Sequence, residues 1–315
     1  MRVRLPERAR RDNGGSSRRA RVRCCAPVRL AVIGDVHLRW DAQDTALLDA
    51  ERYDAALFVG DLAGYAHRGG LTVARAIAAL RTPALVVPGN HDAVRASQLV
   101  AEVMEHDPSI ALTAFGMAAR VDALRCAMRP ALLCGYEVRS LRAREDGGDR
   151  IDCVVARPHS FGGPRVAYRP YLREAFGIES IESSAARLRE LVDRTETERI
   201  VFLAHNGPSG LGDRRDSIWG VDFRKREGDH GDPDLRDAIE HARARGKKVI
   251  AVLAGHMHHA LRGGGRRTWT VRERETLHVN AARVPRAWRE DGRTRRHWVE
   301  VEIDGERAEA RELVR

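Results

Sequence analysis

The sequence predicts an α/β fold built on a mixed sheet, and three observations carry that reading. From Val28 onward, short apolar runs rich in Val, Ile and Leu alternate with stretches of helical period, the signature of βαβ units. These runs are near-continuous rather than alternating, so burial on both faces is expected. After Leu261 the rhythm changes to short runs separated by Gly- and Arg-rich turns, which reads as closing antiparallel strands.

Taken in order, the strands are expected at Val28 to Ile33, Ala55 to Val59, Ala84 to Val87, Ala131 to Leu133, Ile200 to Leu203 and Val249 to Leu253. Helices are expected around Thr45 to Ala50, Leu71 to Leu80, Val94 to Glu105, Ser183 to Asp193 and Pro233 to Arg245, the last opened by Asp232-Pro233. Closing strands come next at Trp269 to Val271, Thr276 to Val279 and His297 to Ile303. The stretch from Ser140 to Gly177 is rich in Arg, Gly and Pro without clear periodicity, and reads as an insertion able to overhang one face of the domain.

The 315 residues are 43% hydrophobic and 32% charged, a globular composition. No run approaches the roughly 18 apolar residues of a membrane span. The net charge of +10 is unevenly placed. Residues 1 to 29 hold ten Arg against one Glu and one Asp, so the remaining chain is nearly balanced.

The segment 1 to 27 has no apolar periodicity to offset its ordering entropy and is expected to be a disordered Arg-rich tail, with residues 28 to 315 forming a single domain. Three readings of the tail stay open: a bland extension, an arm for nucleic acid or a membrane surface, and an organelle transit segment. Five cysteines, Cys24, Cys25, Cys126, Cys134 and Cys153, show no CxxC spacing. Disulfides are not expected, and a reducing cytoplasm is the natural compartment.

Chemistry is carried by the residues standing just after the strands: Asp35 and His37, Asp61, Asn90 and His91, His205, and His256 with His258. In an open α/β sheet the carboxyl ends of the strands share one rim, where ligands bind. Residues two apart in extended chain face the same way, so Asp35 can share a cluster with His37, and His256 with His258. Gly34, Gly60, Gly89 and Gly255 each precede one of these residues, allowing sharp turns and close approach.

With its blocks GDVH (34 to 37), GD (60 to 61), GNHD (89 to 92), His205 and GHMH (255 to 258) in this order, the sequence resembles the calcineurin-like metallophosphoesterase superfamily. The resemblance implies a four-layer α/β/β/α sandwich of two mixed sheets flanked by helices. It implies Asp35, His37 and His258 on one metal, Asn90, His205 and His256 on a second, and Asp61 bridging both. It further implies hydrolysis of a phosphomonoester or phosphodiester by a metal-activated hydroxide, with His91 protonating the leaving oxygen and Asp92 orienting that imidazole. Mixed imidazole and carboxylate donors favour two divalent ions such as Mn, Fe or Zn over Mg or Ca.

Asn90, His91 and Asn206 are the expected substrate contacts. The loop NGPSGLG (206 to 212) reads equally as a phosphate cradle or as the turn its strand needs. The substrate is expected to be a small-molecule or nucleotide phosphoester; nucleic acid bound through residues 1 to 27 is the alternative, and a non-catalytic metal-binding scaffold stands behind both. Trp40 and Trp219 read as packing more than as stacking surfaces. Among the other histidines, His159 and His230 lie in loops able to reach the site, whereas His259 should point away from it.

Overall fold

The computed structural model describes residues 26–144, 148 and 150–315. The Arg-rich tail falls outside them as far as residue 25, together with Cys24 and Cys25.

The chain opens with β1 (Val28–Ile33), α1 (Ala42–Ala50), β2 (Ala55–Phe58), α2 (His67–Ile77) and β3 (Ala84–Val86). Three helices, α3 (Ala96–Val103), α4 (Asp107–Thr113) and α5 (Met117–Ala127), lead to the short β4 (Leu132–Leu133). Then come β5 (Glu137–Arg142), β6 (Arg150–Val155), α6 (Arg169–Phe176), α7 (Ile181–Asp193), β7 (Arg199–Leu203), α8 (Pro233–Ala244) and β8 (Lys248–Ala254). The closing strands are β9 (Thr270–Glu273), β10 (Thr276–Asn280), β11 (Ala287–Glu290), β12 (Arg293–Asp304) and β13 (Arg307–Val314).

Two mixed sheets result. The first runs β11-β12-β1-β2-β3-β4, with β13 also on β12. Its β1 to β4 are parallel, while β12 lies antiparallel to β1 with Val28 opposite Ile303. The second runs β5-β6-β7-β8-β10-β9, parallel from β6 to β10 and antiparallel at both edges.

Alternation along the strands explains how the layers pack. Leu30, Val32, Leu57 and Val59 share an inter-sheet core with Cys153, Val155, Val201, Leu203, Ala251 and Leu253. Their chain neighbours Ala31, Ile33, Ala56, Phe58, Val154, Phe202 and Val252 turn outward to the helices. Both faces of the central strands are therefore dry, which is the four-layer arrangement. Each fully buried Leu, Ile or Val contributes about 1.5–3 kcal/mol relative to exposure.

One expectation fails clearly. The stretch read as an aperiodic insertion supplies β5, β6 and α6, and β6 lies between β5 and β7 in the second sheet. Its apolar run is only Cys153 to Val155 after an Arg and an Asp, and edge strand β5 reads EVRSLR, so neither announced itself. Helices α4 and α5 and strands β11 and β13 also went unpredicted. Trp40 and Trp219 both pack: Trp40 meets Phe58 edge-on and donates to Thr45 Oγ1 at 3.2 Å, and Trp219 is fully buried.

Candidate metal centre

All the strand-end donors converge at one end of the sandwich. Asp35 and His37 leave β1, Asp61 leaves β2 and Asn90 leaves β3, all in the first sheet; His205 leaves β7, and His256 and His258 leave β8, in the second. Backbone and carboxylate bonds knit the loops together. His37 N donates to Asp61 O at 2.7 Å, Gly255 N to His205 O at 2.8 Å, and His256 N crosses between sheets to Asp35 Oδ2 at 3.0 Å.

Two groups of donor atoms form, Asp35 with His37 and His258, and Asp61 with His205 and His256, each within 4.8 Å throughout. Asp61 stands between them: its Oδ2 is 3.7 Å from His37 Nε2 and its Oδ1 is 3.7 Å from His205 Nε2. Asn90 Oδ1 faces His205 Nε2 at 2.9 Å and His256 Nδ1 at 3.0 Å.

The donor chemistry fits cations. His205 Nδ1–H donates to Val59 O at 2.6 Å and His256 Nε2–H to Phe161 O at 3.1 Å. In the neutral rings the facing nitrogens, 3.1 Å apart, are then both bare lone pairs, and Asn90 Oδ1 adds a third. Three acceptors pointed at one another are stable only around positive charge. His37 Nε2 and His258 Nε2 likewise face each other at 3.4 Å, and buried Asp35 Oδ1 has no hydrogen-bond partner. The carbonyls of Val59 and Phe161 fix each ring's tautomer, as outer partners of metal-bound imidazoles do.

The electrostatics agree. Burial would raise the Asp61 carboxyl, yet His205, His91 and His37 bring it down to about 2. Burial would likewise lower His205, but Asp61 and Asp35 raise it; His256, buried beside His205 and His230, is pushed well below the ordinary imidazole value.

The backbone is strained here. Asp35, His37, Asp61 and His256 all hold positive φ, between 34° and 70°, a conformation that costs a non-glycine residue about 1–3 kcal/mol. What crowds the preceding glycines is protein: a Cβ on Gly89 would overlap Asp61 Oδ1, and one on Gly255 would overlap Asp35 Oδ2.

Some expected roles need correction. Asp92 does not touch the His91 ring; its carboxylate accepts from Ala63 N at 3.0 Å and Gly89 N at 2.9 Å. His91 is oriented by Gly64 O, 2.7 Å from Nδ1, and its own N–H donates to Asp61 Oδ1 at 2.9 Å. Asn206 is fully buried, with its amide donated to His230 O at 2.8 Å, so it clamps a loop and does not face substrate. The loop 206 to 212 is a structural turn: Trp219 packs where a Gly207 Cβ would stand, and the amides of Ser209 and Gly210 are bonded to Asp232 O and the Asp229 carboxylate. His259 points away, donating to Asn280 O at 2.8 Å.

The segment after β6 supports the centre in ways the sequence does not announce. His159 is buried and holds the turn before Asn90, its N–H on Pro88 O at 2.7 Å and Nδ1 on Gly89 O at 3.0 Å. Tyr168 donates its hydroxyl to Asn90 O at 2.6 Å. His230 stacks on His256, ring centroids 6.1 Å apart, with Phe223 edge-on beyond it.

The family model described as calcineurin-like phosphoesterase matches residues 28–260. The chain belongs to that family. It is thus a metal-dependent phosphoesterase, a hydrolase of phosphoric esters. A solved structure 12% identical to the phosphoesterase superposes with a TM-score of 0.52 over 91% of this chain and 99% of its own, which shows the shared fold. TT1561 of Thermus thermophilus is 14% identical, with a TM-score of 0.47 over 90% and 98%. A dimetal phosphatase from Danio rerio is 11% identical, with 0.43 over 91% and 98%. A search of curated proteins finds no match. Among the described residues of the phosphoesterase, no helix is long and apolar enough to cross a membrane.

Proposed function

We propose that the phosphoesterase hydrolyses a small phosphomonoester or phosphodiester at a two-metal centre. Asp35, His37 and His258 would hold one ion, Asn90, His205 and His256 the other, and Asp61 would bridge them. The observation that carries this is the convergence of bare lone pairs and carboxylates from both sheets. Two divalent ions there supply Lewis acidity to the phosphoryl oxygens and lower the pKa of a bound water. The donor set suits Mn, Fe or Zn.

The chain's own residues do the rest. With Nδ1 held by Gly64 O, His91 keeps its Nε2 free to pass a proton to the leaving oxygen. Asp92 serves at a distance, holding the Ala63 and Gly89 amides so that the loops bearing Asp61 and Asn90 keep their spacing. We read residues 28–315 as one catalytic domain, because β12, late in the chain, pairs with β1. The unpaired thiols of Cys126, Cys134 and Cys153 suit a reducing cytoplasm. No comparison lends support to nucleic acid as a partner.

Metal-stripped protein should regain hydrolysis of para-nitrophenyl phosphate or its bis ester when Mn, Zn, Fe, Ni or Mg is added back singly. Inactivity on both with two ions bound would overturn the proposal. Asp61→Asn should abolish turnover and lower metal content by elemental analysis. His91→Ala should cut kcat by about 100- to 10,000-fold with metal retained, and equal metal loss in both variants would contradict this division of roles.

A further inference from the structure

The rim beside His91 carries apolar surface that hydrolysis alone does not explain. Leu38 is 51% exposed and Tyr65 73%. Scattered exposed apolar side chains need no account, but these two border one residue, Gly64, whose carbonyl holds the His91 ring. Tyr65 follows Gly64 in the chain, and Leu38 Cδ1 lies 3.5 Å from where a Gly64 Cβ would stand. Leu38 keeps a left-handed φ of 67°, a conformation retained at an energetic cost. The Tyr65 ring meets His91 edge-on, centroids 5.5 Å apart, and His91 meets His37 at 5.2 Å. A line of rings thus runs from an exposed phenol to the donor group of His37.

We propose that Leu38 and Tyr65 form a shelf selecting phosphoesters whose leaving group carries an aromatic ring directly on the ester oxygen. This rests on the reading of His91 as proton donor, and the reason is reach. An oxygen taking the proton from His91 Nε2 lies about 3 Å from it, and the Tyr65 ring is centred 5.5 Å from the imidazole. These lengths leave a ring bonded to that oxygen within reach of Tyr65, where an aromatic pair gains more than a saturated ring of equal size. A sugar would set hydroxyls against a shelf of carbon and gain little. In the step itself the bond from water oxygen to phosphorus forms as the bond from phosphorus to the aryl oxygen breaks. The electron pair stays on that oxygen, the His91 proton joins it, and the attacking water's proton is released.

Benzylphosphonate and cyclohexylmethylphosphonate, which cannot be hydrolysed, separate these alternatives by titration calorimetry on the metal-loaded protein. Wild type is expected to prefer the benzyl compound by about fivefold, the size of an aromatic pair. Tyr65→Phe keeps that preference and Tyr65→Ala brings it near one, with a matching fall in kcat/KM for phenyl phosphate relative to cyclohexyl phosphate. A wild type without preference, or a preference that survives Tyr65→Ala, overturns the shelf. Should phenyl phosphate and diphenyl phosphate both go unhydrolysed while the binding preference behaves as expected, the shelf stands and the proposed hydrolysis falls.

Discussion

Tyr168 shows how much of the site is held from behind. Its hydroxyl is the donor to the Asn90 carbonyl, and the ring is fully buried against His159 and Phe161. Tyr168→Phe keeps that packing but leaves a carbonyl unsatisfied, which costs about 1–3 kcal/mol. The variant should melt a few degrees lower and bind the second metal more weakly, as thermal denaturation and metal titration would show. Unchanged melting would mean that the carbonyl finds water instead. The donors themselves were legible in the sequence because each is a titratable or amide side chain just after a strand, and Asp35, Asp61, Asn90 and His256 each directly follow a glycine. The partners of His91 and Asn90 were not: Gly64 O and Tyr168 lie far away in sequence, and a backbone carbonyl has no letter of its own. Reading Asp92 as the partner of adjacent His91 relied on proximity in the chain, whereas its carboxylate turns to the Ala63 and Gly89 amides.

Among the elements, β1, β2, β3, β7 and β8 were visible as apolar runs because sheet and helices bury both their faces. Edge strands are wet on one side and lose that signal, which is why β5 and β13 were missed; β6 was lost with its neighbour β5. Strand β13 is nonetheless pinned. Glu312 accepts from His297 Nε2 on β12 at 3.0 Å and pairs with Arg266. Burial would raise this carboxyl, but His297 and Arg266 bring it down to about 2. A carboxyl depressed on folding stabilises above its unfolded pKa, so this contribution is complete above about pH 4.5 and fades as pH falls toward 2. Glu312→Gln should therefore lower stability at neutral pH and flatten the acid side of a denaturation-against-pH curve. An unaltered acid limb would show the pair to be screened by solvent.

At the scale of the molecule, the two sheets meet in a dry core and again at the donor cluster, where four residues come from one sheet and three from the other. Ions bound there would staple the sheets. Ligand present at about 100 times its dissociation constant adds about 2.7 kcal/mol to folding, so chelation should lower the melting temperature by several degrees and metal should restore it. Equal melting with and without chelator would place the donors outside a metal linkage. The pairing of β1 with β12 carries a different consequence, one of time. A ribosome releases Val28–Ile33 long before Val299–Ile303 exists, so the edge of β1 that β12 covers must wait for nearly the entire chain. During that interval the newborn protein displays an open, apolar strand, a template for pairing with a neighbouring copy. A stop before β12 would leave that edge bare permanently, and such a fragment is expected to collect in inclusion bodies rather than persist as a smaller enzyme.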